Sequence, residues 1–186
     1  MTFKPSYVGL LPAILVAGVL NGAPALAGSG HASGQGEHHT SMHGQPAKAS
    51  AASRTIEVVM HDNYYEPEVI QVKAGETVRF VVRNNGELVH EFNIGTPDMH
   101  AAHGDEMQMM VDHGVLEYNR INKEAAKAMQ AAMGHGLHND PNSALLEPGA
   151  TGEVVWTFPA DGEIEFACNV PGHYDAGMSG EIELTK

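Results

Sequence analysis

The chain has 186 residues and a formal net charge of −13, with 23 Asp and Glu against 10 Lys and Arg; it also carries 12 His, 10 Met and a single Cys. An acidic balance of this size has the wrong sign for binding nucleic acid, and one cysteine rules out an intramolecular disulfide. The length suffices for one domain with a real core but not for two large ones.

Residues 1–27 read as an export signal. Lys4 is the short basic start, and residues 7–20 are apolar but too short and too interrupted by Gly and Pro for a comfortable membrane span. Ala25-Leu26-Ala27 is a small-residue cleavage site. The mature chain is therefore expected to begin at Gly28, in the periplasm, with no membrane span after cleavage. Residues 28–53 are Gly, Ser, Ala, Gln and His with almost no large apolar side chain, so they are expected to form a disordered tail. Their His31, His38, His39, Met42 and His43 are either incidental or a loose trap for metal ions.

The ordered domain is expected over residues 54–186. Residues 55–60 alternate and are β-branched, residues 69–73 make a second short strand, and residues 77–83 a third. Asn84-Asn85-Gly86 is a hairpin-type turn. Residues 88–94 form a fourth strand in which His90, Phe92 and Ile94 share one face. The β pattern then stops. Residues 95–142 form an insertion rich in Met and His. Its Ala-rich stretch over 117–133 predicts a helix stopped by Gly134, and a shorter helix is expected around 105–111. Met129 and Met133, four apart, suit packing against the domain. Met107, Met109 and Met110 with His103 and His113 could instead hold a soft metal ion. Strands return at 144–146, 151–158, 163–168 and 180–184. About eight short strands separated by turns predict an all-β Greek-key sandwich with a helical insertion.

The chemistry concentrates in one loop, Phe166-Ala167-Cys168-Asn169-Val170-Pro171-Gly172-His173-Tyr174-Asp175-Ala176-Gly177-Met178. Cys168, His173 and Met178 are spaced five apart after a strand. A thiolate, an imidazole and a thioether, joined by a second imidazole from His90, make the trigonal two-His, one-Cys set with a weak axial Met that suits copper in both oxidation states. A Cys/His nucleophile is the competing reading, but the loop has neither a nucleophile elbow nor a protease-type cysteine signature.

Asn63-Tyr64-Tyr65-Glu66-Pro67 through Phe80, Asn84-Asn85-Gly86 leading to His90-Glu91-Phe92, and the Cys168–Met178 loop together resemble the cupredoxin family. The likeness covers residues 54–94 and 143–186. It implies an eight-stranded β-sandwich with one type 1 copper bound by His90, Cys168, His173 and Met178. The Met- and His-rich insertion and the His-rich tail depart from simple electron carriers. They resemble periplasmic copper-tolerance cupredoxins of the CopI type. The expected function is copper tolerance through copper binding and one-electron Cu(I)/Cu(II) chemistry, in a monomer that is not an enzyme. The alternative is a soluble electron carrier serving a periplasmic redox protein such as a cytochrome. A multicopper oxidase is disfavoured, because the chain has no second His-x-His ligand set.

Overall fold

The computed structural model describes residues 42–134, 136–137 and 140–186. The export signal, most of the expected tail (with His31, His38 and His39) and the insertion's His135 and His138 lie outside the described residues.

Ten strands and two helices follow one another along these residues: β1 (Gln45–Pro46), β2 (Arg54–His61), β3 (Tyr64–Glu66), β4 (Val69–Lys73), β5 (Thr77–Asn84), β6 (His90–Gly95), α1 (Pro97–Asp112), α2 (Lys123–Met133), β7 (Ser143–Leu146), β8 (Thr151–Thr157), β9 (Ile164–Ala167) and β10 (Ser179–Thr185). They form two five-stranded sheets, β1-β8-β5-β2-β3 and β4-β10-β9-β6-β7. Parallel pairs β2/β5 and β4/β10 interrupt otherwise antiparallel ladders, so the chain passes repeatedly from one sheet to the other. The sandwich expected from the strand pattern is the fold observed. Among the described residues, no helix is long and apolar enough to cross a membrane.

Period-two alternation explains the main core. Val58 and Met60 of β2, Val78, Phe80 and Val82 of β5, Phe92 and Ile94 of β6, and Ile164 and Phe166 of β9 point between the sheets into one cluster, together with Cys168 and Met178. Every residue of β6 is buried, however. Its second face is covered by the insertion, whose own cluster of Met107, Met110, Val115, Leu116, Ala126 and Met129 packs against Leu145 of β7 and Val170 of the Cys168–Met178 loop.

Several expectations need correction. The ordered domain does not start at residue 54: β1 pairs with β8, and the Trp156 indole N–H donates to the His43 carbonyl at 2.8 Å. That single tryptophan needs a partner for its N–H when buried, and the segment expected to be tail supplies it. Asn84-Asn85-Gly86 is not a hairpin, since β5 and β6 lie in different sheets. The buried Asn84 amide instead donates to the carbonyls of Leu88 and Leu146 at 2.8 and 2.9 Å and clamps the crossover. The strands β1 and β3 were not anticipated.

In the insertion, α1 runs well beyond 105–111. Thr96 accepts from the Met99 N–H, and Pro97 occupies the first turn, a favoured helix start. Helix α2 begins at Lys123 rather than 117, because residues 115–122 fold back through a Leu116–Ile121 bridge. Asn122 then caps the helix by accepting from the Ala125 N–H, and Gly134 ends it in the left-handed conformation (φ 74°), as its position predicted.

Candidate metal centre

The strand β6 delivers His90 from one side of the sandwich, and the turn after β9 delivers Cys168 and His173. Among the backbone bonds that fold this turn are Met178 N–H to the His173 carbonyl at 2.9 Å and Cys168 N–H to the Met178 carbonyl at 3.1 Å. Met178 is thereby returned beside Cys168, and both are fully buried.

One donor atom each from His90, Cys168 and His173 converge within 4.8 Å of one another. The separations are 3.2 Å between the two Nδ1 atoms, 3.3 Å from Cys168 Sγ to His173 Nδ1, and 3.9 Å from Sγ to His90 Nδ1. Three donors in a plane around a metal at ordinary metal–N and metal–S distances would stand roughly 3.5–3.7 Å apart. The observed separations bracket that spacing, and the S,N,N composition suits a soft metal. Burial pushes the Cys168 thiol up to about 12. Without a bound cation this sulfur stays protonated at neutral pH, so metal loading must release its proton.

The orientation of His90 is set from behind. Its Nε2 lies 2.9 Å from Asp62 Oδ1, which leaves Nδ1 with a free lone pair facing the other donors. Asp62 is itself held by the N–H groups of Glu87 and Leu88. Burial raises the Asp62 pKa, but the hydrogen bonds from His90 and these amides outweigh it and leave it below its ordinary value. Burial also depresses the His90 pKa, which favours the neutral ligand form. The approach requires glycine at position 86: a Cβ there would collide with Asp62 Oδ1 and sit 2.9 Å from His90 Nε2. Nothing local in the sequence marks Asp62 as the partner of a histidine 28 residues on.

The outward face of β6 carries the second feature that the sequence did not disclose. Glu91 is 2 % exposed. Its Oε1 accepts from Ser143 Oγ at 2.6 Å and contacts His103 Nε2 at 3.3 Å; its Oε2 accepts from Asn169 Nδ2 at 2.8 Å. Burial works against this carboxylate, yet His103 and the donors around it hold its pKa below the usual range. The other His103 ring nitrogen lies 3.1 Å from Glu106 Oε2, and the hydrogen bond to Glu91 raises the His103 pKa to about 9.

A group whose folded pKa exceeds its unfolded value stabilises the fold fully below the unfolded pKa, and that contribution is lost as the pH rises through the folded one. For His103 this window runs from 6.5 to about 9. The thermal midpoint of the metal-free protein should therefore fall across this range, and His103→Gln should flatten the fall. An unchanged slope in the variant would assign the alkaline loss elsewhere.

Met107, Met110 and Met129 of the insertion are buried in one apolar cluster, with the partly buried Met109 packed against it. His103 is engaged by two carboxylates, and His113 is exposed at the end of α1. Of the two methionines expected to pack, Met129 does and Met133 is 44 % exposed.

Comparison with known proteins places this architecture. The copper-resistant cuproprotein CopI of Pseudomonas aeruginosa is 48 % identical to the chain, over 94 % of this chain and 96 % of the relative. The chain belongs to the CopI family of cupredoxins. CopI of Rubrivivax gelatinosus is 38 % identical over 93 % of this chain and 95 % of its own, and CopI of Vibrio cholerae 31 % identical over 76 % and 71 %. A cupredoxin-like domain model matches residues 40–101, which include β6 with His90. Auracyanin B superposes with a TM-score of 0.55 at 23 % identity, covering 77 % of this chain and 97 % of its own, and so shares the fold.

Proposed function

We propose that this CopI-family cupredoxin would hold one copper ion through His90, Cys168 and His173, with Met178 as a fourth, weaker donor, and contributes to copper tolerance in the periplasm. The observation that carries the reading is the convergence of one Sγ and two Nδ1 atoms at 3.2–3.9 Å in a buried pocket. Copper bound there would supply a one-electron Cu(I)/Cu(II) couple. The chain's own residues do the rest. Asp62 fixes the His90 ring, the Glu91 N–H donates to Cys168 Sγ at 3.3 Å, and the apolar core excludes water from the thiolate. The donor geometry is built into two strands and a short loop, so little need move when an electron is gained or lost.

His173 is half-buried, and the neighbouring residues 174–177 are exposed, which gives the site an edge for electron exchange. This favours a second reading, a soluble carrier serving another periplasmic redox protein. Tight Cu(I) stoichiometry separates the two on the chain from Gly28. Tolerance by copper uptake expects more than one equivalent. A fall to one on shortening the chain to begin at Met42 would assign the extra copper to the tail; a fall to one in Met107→Leu/Met110→Leu would assign it to the insertion. A single equivalent throughout favours the carrier.

A further inference from the structure

The insertion does more than pack on the sandwich, because one of its side chains reaches the residue between the two halves of the metal centre. Glu91 follows His90, and its own N–H donates to Cys168 Sγ at 3.3 Å while its carbonyl accepts from the buried Tyr65 hydroxyl at 2.6 Å. Its carboxylate holds Asn169, the residue after Cys168, through the side-chain amide at 2.8 Å and the backbone N–H at 3.4 Å. Any shift of Glu91 therefore moves the donor on the thiolate and the loop that carries the thiolate. On its other oxygen Glu91 meets His103 of α1 at 3.3 Å. Both ring nitrogens of His103 face carboxylates, Glu91 and Glu106. Ionised carboxylates only accept, so both nitrogens donate and the ring is the cation opposite a buried anion.

We propose that His103 is a positioning residue for the metal centre: through Glu91 it couples the helical insertion to Cys168 and His90, so that the insertion sets the geometry of the bound metal. This rests on the metal centre proposed above. Ser143 and Asn93 also hold the carboxylate, at 2.6 and 3.3 Å, but both lie at the β6–β7 edge of the same sheet. His103 alone among its side-chain partners comes from α1. Groups that orient metal ligands from outside typically alter affinity or activity by about 10–100-fold when removed.

The test uses the full chain. His103→Ala should change the position or relative intensities of the visible Cu(II) bands and weaken Cu(II) binding by about tenfold. His103→Gln, which presents an N–H at similar reach, should restore both. In a Glu91→Gln background His103→Ala should add no further spectral change. An Ala variant that loses thermal stability but keeps the wild-type spectrum and affinity would make His103 a mere anchor of α1 and overturn the proposal. Coupling must also run in reverse. In the wild-type protein, Cu(I) loading should slow amide hydrogen exchange in α1 by a larger factor than in α2, which packs on the same cluster but supplies none of the hydrogen bonds described to Glu91. Equal slowing of the two helices would overturn it without any variant. If wild-type protein gave no intense visible band with Cu(II), the metal centre and this proposal would fall together; a normal wild-type band with an unaltered His103→Ala spectrum removes only the latter.

Discussion

Cu(II) added to the Cys168→Ala protein should give no intense visible absorption. The transition that makes type 1 sites strongly coloured needs a thiolate on the metal, and Cys168 is the only cysteine in the chain. Cu(I) affinity should fall by more than about a hundredfold, exceeding the 10–100-fold cost of removing a group outside the coordination sphere. The fold should survive: Cys168 is fully buried, but alanine removes only one atom from its side chain, a small cavity by core standards. Titration by absorption and by a competing Cu(I) chelator, beside a thermal melt, checks all three. Intense colour in the variant would reject the thiolate assignment.

Phe166→Ala should be the most damaging core change. Phe166 is fully buried, with its ring 5.0 Å from that of Tyr65 and 5.3 Å from that of Phe92. It stands two residues before Cys168 on β9 and lies over Gly180, where a Cβ would collide with the Phe166 ring. Truncating an aromatic ring in such a site typically costs about 3–5 kcal/mol. For a domain of this size that lowers the thermal midpoint by roughly 10 °C. Denaturant unfolding of the metal-free protein measures it; a loss under about 1 kcal/mol would mean that the core closes over the gap. Cu(II) spectra of the surviving folded fraction should broaden, because the strand that sets Cys168 loses its packing. Stability and site geometry thus share one aromatic cluster.

The strands that build the core were legible because their two faces differ. β4 alternates between buried and exposed positions and β5 between buried and mostly half-buried ones, and that alternation is present in the sequence. The helix α1 was nearly illegible for the opposite reason. Its buried face consists of His100, Met107 and Met110, with His103 between two carboxylates. A stripe partly made of imidazoles carries no hydropathy period, so only its extent in the structure reveals that it is a packed face. β6 shows both behaviours at once. Phe92 and Ile94 announced the inner face, whereas nothing in the sequence marks Glu91 on the outer face as buried against His103 of α1.

What the sequence by itself determined is the sandwich and the candidate donors of the proposed metal centre. Cys168, His173 and Met178 lie on one short loop whose spacing follows from local chain geometry, and His90 lies on a strand whose apolar face is written in period two. What only the tertiary structure decided is how those residues are held. Asp62 behind His90, the Asn84 clamp, Trp156 bonded to the early segment, and the His103–Glu91–Asn169 link all join residues far apart in the chain. Each serves a buried polar group that must find a partner once water is excluded. Sequence shows that such a group exists; the fold alone determines which distant residue satisfies it.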